Sequence, residues 1–305
     1  MIKTAKAYRE DPAIKDKISE FTVVSTGTDV ATQLGAIEDF INQGYDGIVT
    51  IAVAPDGFDR IIKLADKNNV VLVPFDNVLD TDAIMQVNED QTAMGTQWAE
   101  FVLKEMAAKG ITSGKILEVR GLAGNSVDRD RSIAINAALD ASGGTWERVS
   151  VVGNWDDATT QKVVADAIAS SGPFDGIIAQ GGEIGMVQAI LDTGHPLVPV
   201  AGESENGYRK MVADMHKDGL KGISIGQSPG LVAVAMKAAV SALEGNIMPQ
   251  LISVPLPVAD YTQLEDGVNY WSDLPASFYT VNEFPPCGVN ITGPSIMAQS
   301  EADSN

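Results

Sequence analysis

Short apolar runs alternate along the chain with longer stretches whose apolar positions recur every three or four residues, the pattern of βαβ units built on a parallel sheet. Phe21–Ser25 reads as the first strand. Asp29 can cap the helix that follows, which runs to about Gln43 and is ended by Gly44. Gly47–Val53 is the next strand. Pro55 and Asp56 open a helix with Phe58, Ile61, Ile62 and Ala65 on one buried face. Val70–Phe75 is apolar throughout, as a strand buried on both sides is. Ile84–Val87 is short and strand-like, and Gln91–Lys109 is helical.

The pattern then restarts. Strands are predicted at Lys115–Val119, Val149–Val152, Asp175–Ala179, Leu197–Ala201 and Gly222–Gly226. The intervening helices are Val127–Ala141, Thr159–Ser170, Ile184–Asp192 and Gly207–Asp218, with Leu231–Leu243 after the last of these strands. A strand region at Leu251–Val258 leads into a tail with little periodicity. Ile37–Ala52 and Ala165–Gln180 share one plan, helix then Gly then aromatic-Asp-Gly then apolar strand, as two similar halves would. The fold class is therefore α/β, with two Rossmann-like, doubly wound parallel-sheet domains.

The opening helix, Met1–Tyr8, has no strand before it. In the strand order 2-1-3-4-5 the first strand is central, so the N-terminal domain is expected to lack that strand. Met1 is then an internal Met of the first helix, and the natural protein is expected to carry upstream residues.

The 305 residues suit two domains, and 45% hydrophobic content suits packed cores. A formal net charge of -20 argues against nucleic acid and against docking on anionic lipid. One cysteine, Cys287, allows no internal disulfide, and with only His195 and His216 beside it no structural metal site is expected. No apolar run approaches the roughly 20 residues of a membrane span, and no secretory signal is legible. Catalytic motifs are missing too. The turn after Arg120 lacks the Gly-Lys-Ser/Thr end of a phosphate loop and the G-x-S-x-G spacing of a hydrolase. His195 sits between Gly194 and Pro196, as a turn residue does. Asp156 and Asp157 precede a helix, as caps do. No catalytic residue and no cofactor are expected.

At GLAGNSVDRDRSIAINAAL (Gly121–Leu139) the chain resembles the periplasmic ribose-binding-protein family, in the turn G-x-A-G-x-S followed by R-x-R. VLVPFDN (Val71–Asn77), IIAQGGE (Ile177–Glu183) and ISIGQSP (Ile223–Pro229) match further landmarks in order. The resemblance spans roughly Phe21–Tyr261. It implies a type I solute-binding protein of a bacterial ABC importer: periplasmic, monomeric, not an enzyme, closing about three hinge crossovers on a sugar or polyol and handing it to a permease. The crossovers fall near Glu89–Asp90, Gln227–Ser228 and Pro255–Val258. The N-terminal domain is then residues 1–89 plus 228–256, and the C-terminal domain 90–227 plus 257–305, tail included.

A sugar needs planar groups that pair with its hydroxyls and an aromatic ring against its C–H face. The resemblance places these at Asp76, Asn77, Arg131, Trp155, Gly181, Ser204 and Gln227. Asp76 accepts from hydroxyls, Arg131 donates, Trp155 stacks and Gln227 reaches in from a hinge; Arg129 is a salt-bridge candidate. Gly181 and Ser204 stand where the ribose binder has Asn and Asp. A residue as small as Gly181 is expected to leave room for a ligand bulkier than ribose. Glu203, Glu205 or Asn206 can take over from Ser204. Two other readings share the fold: a receptor for a furanosyl signalling molecule, and the sensor domain of a sugar-responsive transcription regulator. The second requires a helix-turn-helix ahead of the sensor, and none precedes it in this sequence. Cys287 is free unless an upstream cysteine pairs with it.

Overall fold

The structure is a computed structural model and describes residues 1–297. In chain order its helices and strands are α1 (Ile2–Arg9), α2 (Val30–Gln43), β1 (Gly47–Thr50), α3 (Phe58–Lys67), β2 (Val71–Pro74), β3 (Gln86–Glu89) and α4 (Gln91–Ala108). β4 (Ser113–Arg120), α5 (Ser126–Ala141), β5 (Thr145–Val152), α6 (Asp157–Ser171), β6 (Gly176–Ala179), α7 (Glu183–Asp192), β7 (Val200–Gly202), α8 (Asn206–Met215) and β8 (Gly222–Ile225) follow. α9 (Leu231–Leu243), β9 (Leu251–Val254), β10 (Val258–Asp260), β11 (Glu283–Phe284), β12 (Val289–Asn290) and α10 (Gly293–Met297) complete the described residues. Contacts divide them into two compact units. The first holds Met1–Glu89, Pro229–Pro255 and 282–297; the second holds Asp90–Ser228 and Leu256–Val281.

In the first unit β1 pairs parallel with β2 and β3 with β9, and a parallel bridge between Phe75 and Val87 joins the two pairs. One face is covered by α2 and α3, whose Ile37, Ile41, Phe58 and Ile61 pack on Ile48 and Leu72. The other carries α1, α9 and the C-terminal segment, with Tyr8, Leu231, Phe284, Val289 and Ile296 around Val73 and Val87.

Two expectations change here. The tail was assigned wholly to the second domain, but from Asn282 it packs with the first unit. Phe284, Val289 and Ile296 bury their apolar side chains there, and Asn282 accepts a hydrogen bond from Thr4. The chain therefore passes between the units at four places rather than three, after Glu89, Ser228, Pro255 and Val281. The segment expected to be a strand at Phe21–Ser25 joins no ladder among the described residues. A cavity of about 270 Å³ is lined by Ile18–Thr22 and by Gly47–Val49, with Met236, Val240 and Leu243. A segment whose backbone has no strand to pair with does not make a strand. Beyond β1, the Gln33 side chain imitates a neighbouring strand: its Nε2 donates to Ile51 O at 2.7 Å and its Oε1 accepts from Val53 N at 2.9 Å.

The second unit is a six-stranded sheet in the order β10-β8-β7-β6-β4-β5, parallel except for the edge strand β10. The strand region expected as one piece at Leu251–Val258 is thus two strands, β9 and β10, on different sheets. α4 and α5 bury Trp98, Phe101, Ile135 and Leu139 on one face of this sheet. α6, α7 and α8 bury Val164, Met186, Ile190 and Tyr208 on the other. The helices start where capping chemistry allows: Asp90 caps α4, Asn125 caps α5 and Asp156 caps α6, each accepting a backbone N–H of the first turn.

Candidate functional site

Five parallel strands of the second unit end on one edge of the sheet, the edge at which open α/β sheets bind ligands. Gly121 follows β4, Trp155 lies just past β5, Gln180–Gly182 follow β6, Glu203–Glu205 follow β7, and Gly226–Gln227 follow β8. The backbone is strained here. Trp155 (φ 57°), its neighbour Asn154 (φ 56°) and Gln227 (φ 36°) lie in the left-handed region that side chains avoid.

Arg131, on α5, is the hub. It is 1% exposed and stacks on Trp98. Its Nε donates to Gln91 Oε1 (2.7 Å), its Nη1 to Gln180 O (3.0 Å) and Glu203 Oε1 (2.5 Å), and its Nη2 to Gln227 Oε1 (3.0 Å). Four protein acceptors engage a guanidinium that has five N–H groups. Arg131 therefore holds three loops and the first turn of α4 together, with at most one donor left for anything else.

Trp155 is wedged between two glycines. A Cβ on Gly121 would lie 2.2 Å from ring atoms Cε2 and Nε1, and one on Gly181 would lie 2.7 Å from Cδ1. The room expected at Gly181 is therefore already occupied, by the indole. The indole Nε1 is buried without a hydrogen-bond partner among the described residues. Ser204 is fully buried; its hydroxyl donates to Gln227 O at 3.2 Å and its carbonyl accepts from Thr280. It braces the loop after β8.

Of the three residues that could replace Ser204, Asn206 is committed elsewhere. Its amide donates to Trp271, Leu274 and Pro275 carbonyls and accepts from Trp271 N, which pins the aperiodic segment 261–281 onto the unit. That segment returns to the site with Tyr279. Its backbone bridges Glu205, and its hydroxyl donates to Glu203 Oε2 at 3.3 Å. Sequence reading missed Tyr279, which lies in an aperiodic stretch, and it missed Gln91 and Gln180, which lie in a recognised helix and a recognised landmark but whose bonds to Arg131 join residues far apart in sequence.

The edge is rich in carboxyls. Glu183, at the start of α7, accepts from Glu203 N through Oε1 (2.7 Å), while its buried Oε2 has no partner. Burial, then the charges of Glu203 and Glu205, push the Glu183 carboxyl well above its ordinary range. Glu205 is 5% exposed, and burial beside Asp157 and Glu203 raises it to about 8. Burial and Glu203 likewise raise the Tyr279 phenol.

In the first unit Asp76 and Asn77 follow β2. Asp76 has φ 66° and donates its N–H to Val87 O; Asn77 donates its amide to Ala52 O at 2.6 Å, tying the ends of β1 and β2 together. Elsewhere, Arg129 pairs with Asp130 at 2.7 Å. His195 is structural: Nε2 accepts from Phe174 N and Nδ1 donates to Pro196 O. Among the described residues no three His, Cys, Asp or Glu side chains are placed to hold a metal, and no helix is long and apolar enough to cross a membrane.

The sequence profile described as "Periplasmic binding protein domain" matches residues 1–247. A xylitol-binding protein of Mycolicibacterium smegmatis is 27% identical over 182 residues, 58% of this chain and 51% of that protein; the chain thus spans about half of that relative. The ribose import binding protein of Haemophilus influenzae is 22% identical over 247 residues, 78% of this chain and 80% of that one. Among solved structures, an ABC transporter solute-binding protein from Thermobispora bispora superposes with a TM-score of 0.78 at 23% identity, over 92% of this chain and 86% of that one. A solute-binding protein from Actinobacillus succinogenes with bound D-allose gives 0.71 at 19%, over 85% and 91%.

Proposed function

Since the chain belongs to the periplasmic binding protein domain family, we propose that it captures a small carbohydrate or polyol outside the cytoplasmic membrane and delivers it to an ABC permease. Its role is binding rather than catalysis. The observation that carries this reading is the convergence of Trp155, Gln227, Glu203 and Tyr279 with the Arg131 hub at the carboxyl edge of one sheet. Arg131 sets the positions of Glu203 and Gln227, Trp155 offers an aromatic face, and Ser204 braces the loop that carries Gln227. Asp76 and Asn77 of the first unit belong to the same proposal, as acceptor and donor for ligand hydroxyls, and so does capture by hinge closure.

A thermal-shift screen against ribose, allose, xylitol and their aminated analogues tests it. A ligand that binds only the folded state adds about 2.7 kcal/mol at a hundredfold excess over its dissociation constant. Asp76→Ala and Trp155→Ala should each erase the shift. No shift from any sugar or polyol, or one undiminished in both variants, would overturn the reading.

A further inference from the structure

The carboxyls at the edge of the second sheet outnumber the cations that meet them. Glu203 is neutralised by Arg131 at 2.5 Å. Arg120, at the end of β4, is taken by Asp128, and Arg209, on α8, is buried and spends its donors on Ser224 Oγ (2.7 Å) and Asn269 O (2.8 Å), with no carboxylate among its partners in the described residues. Asp157 accepts a backbone N–H from Gly185 at 3.2 Å. The Glu205 carbonyl accepts from Arg209 N, but its carboxyl receives no hydrogen bond and meets no cation among the described residues, although the residue is 5% exposed. Glu183 Oε2 is buried with nothing to accept from. Burying a carboxyl without a partner is costly, and these two follow neighbouring strands of the sheet, Glu183 after β6 and Glu205 after β7. The groups around Glu205 are acidic or phenolic: Asp157 from α6, Glu183 from α7, Glu203 from its own loop and Tyr279 from the returning segment.

We propose that this edge is an ammonium subsite: Glu205, flanked by Asp157 and Glu203, takes the positively charged amino group of an aminated sugar or aminated polyol. The inference rests on the carbohydrate reading above and narrows it. It follows from what the side chains still have to offer. Arg131 keeps at most one donor and the Trp155 Nε1 adds one more, against the unpartnered carboxyls of Glu205 and Glu183, so charged acceptors are the site's surplus. A ligand that brings N–H donors and a positive charge satisfies it better than one that brings hydroxyls alone, because charge-assisted hydrogen bonds are about twice as strong as neutral ones. Burial beside Asp157 and Glu203 raises the Glu205 carboxyl to about 8, so docking of an ammonium against its carboxylate at neutral pH expels a proton into solvent.

The experiment is calorimetry on the whole chain with matched pairs, glucosamine against glucose and galactosamine against galactose, in buffers of differing ionisation heat. The aminated member should bind about 10- to 100-fold tighter. It should release close to one proton per site at neutral pH, whereas its hydroxyl counterpart releases none. Glu205→Gln, shown folded by a cooperative melt, should lose both the preference and the proton release. Neutral sugars binding as tightly as their aminated partners, or a preference that survives Glu205→Gln, sinks the ammonium subsite and leaves the carbohydrate reading standing. Failure of both members of every pair to bind sinks the two together.

Discussion

Replacing Gly121 by Ala adds one methyl group against the Trp155 ring. The new Cβ falls 2.2 Å from Cε2 and Nε1 and 2.5 Å from Cζ2. Real contacts of that kind lie beyond 3 Å, so the indole must leave or the β4 loop must shift. Gly121 does not have positive φ, so the penalty is steric alone. Overpacking of this sort costs about 1–3 kcal/mol. The assay is urea unfolding of the wild type, Gly121→Ala, Trp155→Ala and the double variant. If the ring is the obstacle, Gly121→Ala loses its cost once Trp155 is gone, and the cycle returns a coupling about as large as the single loss. Ligand titration on the same four proteins should show Gly121→Ala weakening binding as Trp155→Ala does. A Gly121→Ala loss below about 0.5 kcal/mol, or one equally large without Trp155, would refute the wedge.

Arg131→Met should cost about 3–5 kcal/mol, because Glu203 then stays buried beside Glu183 and Glu205 after losing the guanidinium that pairs with it; Arg131→Lys should lose less, and urea midpoints for the two variants decide it. Gln33→Ala strips the partners from Ile51 O and Val53 N and should cost about 1–3 kcal/mol. Hydrogen exchange at the Val53 amide should accelerate, and an unchanged rate there would show that the side chain is not standing in for a strand.

Periodicity placed nearly every helix and strand of both units, because amphipathic spacing and Asp or Asn caps act locally. It failed at Phe21–Ser25, where strand formation depends on a neighbour that local sequence does not encode. It failed again on the tail, whose packing against α1 and α9 is a long-range event. At the candidate site, the resemblance singled out Arg131, Trp155 and Gln227, and the structure brings all three to the carboxyl edge of one sheet. The roles of Gly181 and Ser204 were not. Whether a glycine makes room for a ligand or for an indole is decided by a residue 26 positions away, since 181 less 155 is 26. Tyr279 comes from a segment held in place by Asn206 rather than by any pattern of its own.

The interleaving of the two units bears on biosynthesis. Ala5 and Tyr8 of α1 are made long before α9 and the segment beyond Asn282, against which they pack. A growing chain therefore makes α1, then most of the second unit, and only afterwards receives what covers α1. That apolar surface waits unshielded while more than two hundred residues are added, so a holding chaperone has most to do before the segment beyond Asn282 emerges.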